Sequence, residues 1–127
     1  MISRILIANR GEIAVRIIKA CKELGIETVL AVSEADMETA AAKMADRAVC
    51  IGPAPCQWSY LRKDIIIQTA ISEKCEAIHP GYGFLAENED LARICEERGI
   101  IFIGPSSENL KAFGDKINAK RIARECG

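Results

Sequence analysis

Short continuous apolar runs alternate along this chain with longer stretches whose apolar positions recur every three or four residues. The first run, Arg4-Ile5-Leu6-Ile7-Ala8, shows no polar alternation after Arg4. That is the pattern of a strand covered on both faces, as in a parallel sheet. Similar runs follow at residues 28–32, 48–51, 77–78 and 100–103. Between the first two, Ile13, Ile17, Cys21 and Leu24 fall on one side of a helical projection and Glu12, Arg16, Lys19 and Glu23 on the other, with Gly25 to stop it. This predicts an amphipathic helix of about three turns. A second helix, short and alanine-rich, is expected at 36–44, and a third at 63–73, where Ile66, Ile67, Ala70 and Ile71 supply the apolar face. The fourth opens on Glu87, Glu89 and Asp90, runs through Leu91, Ile94 and Cys95 and ends at Gly99. Its acids stand where the helix dipole favours negative charge.

Strands and helices therefore alternate with short connections, and right-handed crossovers turn that order into a five-stranded parallel, doubly wound, Rossmann-like sheet with helices on both faces. A site on such a sheet lies beyond the carboxyl ends of its strands, here residues 9–11, 33–36, 52–61, 79–85 and 104–106. Two further helical pieces, 107–113 and 116–126, meet at Gly114-Asp115 and have no sixth strand to cover. The expected organisation is a domain at 1–113 that folds on its own, followed at 114–127 by the start of a helical connector.

Composition narrows the function classes. Half of the 127 residues are apolar and 28% are charged, enough for a core that buries roughly two thirds of the unfolded surface, which excludes intrinsic disorder. Seventeen Lys and Arg against eighteen Asp and Glu give a net charge of -1 with no basic block, so no electrostatic footprint for nucleic acid or an anionic membrane is present. No apolar run near the start is long enough for a signal-peptide core or a spanning helix, and a soluble, cytoplasmic protein is expected. The six cysteines, Cys21, Cys50, Cys56, Cys75, Cys95 and Cys126, show no CxxC spacing; reduced thiols used as small hydrophobes are expected. With one histidine in the chain, no metal site is expected.

The strand ends exclude two familiar uses of such a sheet. Dinucleotide binding needs three glycines in the first strand-to-helix turn, and Asn9-Arg10-Gly11-Glu12-Ile13-Ala14 offers one, so the backbone cannot approach a pyrophosphate closely. Glu34, in place for a ribose contact, then reads as a solvated loop carboxylate. A phospho-acceptor receiver domain would need acids after the first and third strands and a lysine after the fifth, where Asn9-Arg10, Gly52 and Gly104-Pro105 stand. The most unusual loop is His79-Pro80-Gly81-Tyr82-Gly83-Phe84-Leu85-Ala86-Glu87-Asn88. Its glycines let the backbone bend sharply and present Tyr82 at the sheet edge. His79 has two readings, a hydrogen-bonded structural histidine or a residue in contact with a ligand-binding group, while Phe84 and Leu85 read as core.

These segments, together with Cys50-Ile51-Gly52-Pro53-Ala54-Pro55, Ser59-Tyr60-Leu61, Phe102-Ile103-Gly104-Pro105 and Gly114-Asp115-Lys116, stand in the order and spacing of biotin carboxylase. The chain resembles, over its whole length, the amino-terminal, pre-ATP-grasp domain of that family, as found in acetyl-CoA carboxylase of fatty acid biosynthesis and related biotin-dependent carboxylases. Two departures stand out. Cys56-Gln57-Trp58 replaces a usually small or polar stretch, which leaves that loop's shape open. Ala86 replaces a common serine, which would remove an N-cap from the next helix at a cost of about 1 kcal/mol.

The resemblance implies an ATP-grasp ligase that converts bicarbonate and MgATP to carboxyphosphate and then carboxylates biotin on a carrier protein. It implies ATP, magnesium and biotin as cofactors, a biotin carboxyl carrier protein or domain as partner, and ATP-grasp and carboxy-terminal domains in the same enzyme. Most of the chemistry belongs to those domains, so no catalytic residue is expected within 1–127. These residues alone are expected to hold no cofactor tightly and to be inactive. Matching the family's motifs assigns Lys116 to nucleotide phosphates, Tyr82 and Gly83 to the biotin and bicarbonate pocket, and Arg16, Lys19 and Glu23 to a homodimer face. For that last set a solvated helix face with Glu12/Arg16 and Lys19/Glu23 pairs fits equally well. Two other readings remain: a stand-alone binding domain without catalysis, and the equivalent domain of another ATP-grasp ligase. The acceptor finally carboxylated is not specified by these residues.

Overall fold

The computed structural model describes residues 2–81, 85–86 and 88–104. Within them the chain runs β1 (Arg4–Ile7), α1 (Gly11–Glu23), β2 (Glu27–Ser33), α2 (Ala40–Met44), β3 (Arg47–Gly52), α3 (Lys63–Ser72), β4 (Ala77–His79), α4 (Glu89–Arg98) and β5 (Ile101–Phe102). The five strands form one all-parallel sheet in the order β3-β2-β1-β4-β5. The expected fold class is what the structure has. The expected connector at 114–127, and the domain boundary before it, lie outside the described residues.

Strand alternation divides the core in two. Successive side chains of a strand point to opposite faces, so Ile5 and Ile7 of β1 join Leu30 and Val32 of β2 under α1 and α2. Leu6 and Ala8, with Val29, Ala31 and Ile78, pack under Ile66, Ile67 and Ala70 of α3 and Leu91 and Cys95 of α4. The consecutive apolar residues of β1 and β2 are thus divided between the two faces.

Helix α1 turns a different stripe to the sheet from the one that periodicity predicts. Ala14, Ile18 and Cys21 are buried, whereas Ile13 and Ile17 are half-buried and Leu24 is 74% exposed. The helix carries two adjacent apolar stripes, and the one containing the small Ala14 faces the sheet, which allows close approach. The other stripe, with Leu24, borders an apolar groove of about 730 Å³ between α1 and Ile103.

Two helix starts also differ from expectation. The predicted helix at 36–44 is a 3-10 turn at Glu34–Asp36 followed by α2, because the Thr39 hydroxyl caps α2 by accepting the Ala42 N–H at 3.3 Å. Helix α4 begins at Glu89 and is capped by Asn88, whose Oδ1 accepts the Leu91 N–H at 2.9 Å. The alanine at position 86 therefore deprives α4 of nothing: the cap lies two residues further on.

The five described cysteines, Cys21, Cys50, Cys56, Cys75 and Cys95, are free thiols, all buried except Cys50. Burial pushes the Cys75 and Cys95 thiols up to about 11, so both stay protonated and behave as apolar filler. In the loop of unusual composition, Cys56–Trp58 forms a 3-10 turn that buries Cys56 and leaves Trp58 56% exposed. No described helix is long and apolar enough to cross a membrane.

Candidate functional site

The chain leaves β1 toward β2 on one side of the sheet, while β4 pairs with β1 on the other. The strand order therefore reverses between β1 and β4, and a crevice opens at their carboxyl ends, the place where open parallel sheets take ligands. Two groups of residues line these ends.

The first group joins β1 to β4. Asn9, 3% exposed, follows Ala8; its Nδ2 donates to the Pro80 carbonyl at 2.8 Å and its Oδ1 accepts the Arg10 N–H at 2.8 Å. Across the crevice the Gly81 N–H donates to His79 Nδ1 at 3.1 Å. Gly81 has φ +67° and no room for a side chain: a Cβ there would lie 2.7 Å from Asn9 Nδ2 and 2.9 Å from Ile13 Cγ2. The backbone is thus pinned one residue before Tyr82.

The Gly81 bond requires a lone pair on His79 Nδ1, so the imidazole is neutral with its proton on Nε2. Burial holds its pKa below the ordinary 6.5. Because the unfolded chain then binds the proton more readily, the His79 contribution to stability is complete above about pH 6.5 and declines as pH falls toward the depressed folded value. His79→Asn, which places an amide oxygen near the position of Nδ1 but does not titrate, is expected to flatten the fall in urea midpoint between pH 7.5 and 5.5. An unchanged slope would remove His79 as its source.

The second group surrounds Tyr60, which is fully buried. Its phenol donates to Asp36 Oδ2 at 2.6 Å and accepts the Ser33 N–H at 3.1 Å, and the Ser33 hydroxyl donates to the same Asp36 oxygen at 3.1 Å. The Arg10 guanidinium lies 3.6 Å from Asp36 and 5.8 Å from the Tyr60 ring centroid. Burial, and next the bond to Asp36, push the phenol far above its ordinary range, so Tyr60 remains a donor at any physiological pH. This network ties the end of β2 and the connection between β3 and α3 to Arg10, the residue that precedes α1.

Among the predicted site residues, His79 stands in the crevice, hydrogen-bonded to the turn that leads into the loop. Arg16, Lys19 and Glu23 are exposed on α1; Arg16 pairs with Glu12 at 3.1 Å, while Lys19 and Glu23 form no ion pair with each other. Glu34 is exposed, as a solvated loop carboxylate should be. Tyr82, Gly83 and Lys116 lie outside the described residues. Among the described residues no three His, Cys, Asp or Glu side chains converge. Sequence reasoning assigned no role to Asn9 or Tyr60. The available signal was an amide-bearing residue at a strand end and an aromatic residue in a polar loop.

The comparisons with known proteins agree with this geometry. Residues 1–110 match the family described as biotin carboxylase, N-terminal domain. Biotin carboxylase of Pseudomonas aeruginosa is 52% identical over 127 residues, all of this chain and 28% of that protein. The mitochondrial propionyl-CoA carboxylase alpha chain of Sus scrofa is 49% identical over 122 residues, 96% of this chain and 17% of that one. The solved biotin carboxylase domain dimer of Hydrogenobacter thermophilus 2-oxoglutarate carboxylase, in complex with MgADP, ADP and bicarbonate, superposes with a TM-score of 0.85 at 49% identity, covering 98% of this chain and 27% of that chain. The chain thus spans less than a third of the length of these relatives. A five-stranded sheet with its crevice at the β1/β4 reversal, joined to a family match over residues 1–110, means that this chain belongs to the biotin carboxylase N-terminal domain family.

Proposed function

We propose that this chain is the amino-terminal domain of a biotin carboxylase, the ATP-grasp ligase that uses MgATP and bicarbonate to carboxylate biotin on a carrier protein or domain. The observation that carries this reading is the family match over residues 1–110, and the position of the Pro80–Gly81 turn at the β1/β4 crevice supports it. In this reading Tyr82 and Gly83 line the biotin and bicarbonate pocket, and Lys116 contacts nucleotide phosphates. His79 supports the loop from behind, and Arg16, Lys19 and Glu23 on the exposed face of α1 meet a second copy in the dimer. ATP-grasp and carboxy-terminal domains supply the magnesium carboxylates and the general base. The setting proposed is acetyl-CoA carboxylase and fatty acid synthesis, in the cytoplasm, where the free thiols of the described cysteines would remain reduced.

Steady-state kinetics of the complete enzyme with free biotin test the assignments. A charged hydrogen bond to phosphate is worth about 1.5–3 kcal/mol, so Lys116→Ala should raise KM for ATP roughly tenfold or more and lower turnover. Tyr82→Ala should act mainly on biotin or bicarbonate. Residues 1–127 alone should show no biotin-dependent ATP hydrolysis, since one solvated cation contributes on the order of 1 kcal/mol where micromolar affinity needs about 8. Biotin-dependent hydrolysis by residues 1–127, abolished by Lys116→Ala, would overturn this division of labour.

A further inference from the structure

Residues 9 and 80 are distant in sequence yet joined by a buried contact: the side-chain amide of Asn9 bonded to the carbonyl of the residue just before Gly81. Three constraints converge there. Asn9 Nδ2 holds the Pro80 oxygen from the β1 side, His79 Nδ1 holds the Gly81 N–H from the β4 side, and the left-handed Gly81 backbone lies against Asn9 and Ile13 with no space for a Cβ. The backbone at Pro80–Gly81 is therefore fixed by the rigid end of β1 as well as by β4.

We infer that Asn9 is a positioning residue for the loop that begins at Tyr82, holding the Pro80–Gly81 turn so that the pocket for biotin and bicarbonate has one shape. The inference rests on the proposed placement of Tyr82 and Gly83 in that pocket. The amide suits the task because it bears both groups required: an N–H for the Pro80 carbonyl and an oxygen for the Arg10 N–H. Aspartate keeps the oxygen and has no N–H, so it would set a carboxylate against the Pro80 carbonyl. Serine is too short to span the same distance. A shift of about 1 Å in a positioning element can cost on the order of a hundredfold in rate, because reacting groups tolerate little misalignment.

The test uses the complete enzyme with free biotin, bicarbonate and ATP varied in turn, and compares Asn9→Asp, Gly81→Ala and Tyr82→Ala with the unaltered chain. Asn9→Asp is expected to raise KM for biotin at least fivefold and to lower turnover, with KM for ATP within twofold. A merely structural role would lower the melting temperature and the active fraction and leave both KM values in place. Gly81→Ala leaves the amide in the sequence but drives a Cβ against Asn9 and Ile13, so it displaces the same turn from the other side and should give the same signature; it also serves should Asn9→Asp fail to fold. Biotin KM within twofold of the unaltered enzyme in the folded variants, or an equal rise in KM for ATP, overturns the inference. If Tyr82→Ala raises KM for biotin while Asn9→Asp and Gly81→Ala do not, the positioning role alone is lost. If Tyr82→Ala itself leaves biotin and bicarbonate kinetics unchanged, the placement of the loop in the pocket fails, and the role of Asn9 with it.

Discussion

Tyr60→Ala is expected to remove about 4 kcal/mol of stability, a large share of the 5–15 kcal/mol typical of a domain. Tyr60 is the largest fully buried side chain in the described fold, and its removal opens a cavity where α3 and the β2–β3 end of the sheet meet. The polar part of the loss is separable. Tyr60→Phe keeps the ring and so the packing, but leaves the buried Ser33 N–H without the phenol oxygen and Asp36 without its shortest donor. Leaving such groups unsatisfied costs about 2 kcal/mol. Urea denaturation of the two variants should therefore give midpoints ordered wild type, Phe, Ala with clear gaps. Equal losses for Phe and Ala would place the whole contribution in the hydrogen bonds, and no loss for Phe would place it in packing alone.

Gly52→Ala is expected to be of similar size, about 3 kcal/mol, and for a different reason. Gly52 ends β3 with φ +150°, and a Cβ on it would sit 2.3 Å from the Trp58 carbonyl oxygen. That neighbour is backbone, so a rotamer change cannot relieve the overlap. The Cys56–Trp58 turn or the end of β3 must move, and with it Tyr60 two residues on. Strain of this kind belongs to the short list of mechanisms behind large single-residue effects. Thermal unfolding would read it as a fall in midpoint of roughly 10 °C. A fall of a degree or two would mean that the turn yields at little cost.

The sheet was legible because the physics behind it is local. Five apolar runs with helical stretches between them admit few topologies, and apolar residues at consecutive positions of β1 and β2 require cover on both faces. The phase of α1 was not legible, because two neighbouring stripes are both apolar and the choice between Ile13 and Ala14 depends on how closely the helix can approach the sheet. The cap of α4 was misplaced for a similar reason: Ala86 and Asn88 both precede the acids, and only the helix start at Glu89 decides between them. In the site, glycines at 81 and 83 marked the loop, while Asn9 and Tyr60 stood in motifs of the family resemblance without an assigned role. Their partners, Pro80 and Asp36, are far away in sequence and are brought near only by strand order and by the crossing of the chain from one edge of the sheet to the other.

That distance has a consequence for the way the protein folds. The amide of Asn9 and the carbonyl of Pro80 are 71 residues apart, and they meet only when β4 has docked beside β1. Closing so long a loop carries an entropy cost that is recovered only once the parallel pairing is in place, which makes such contacts late and slow. A partly folded chain with β1, β2 and β3 assembled therefore has a sheet but no Pro80–Gly81 turn. During refolding, protection of the Gly81 amide from exchange would mark the completed sheet, and a chaperone or protease that samples this turn would distinguish finished molecules from intermediates.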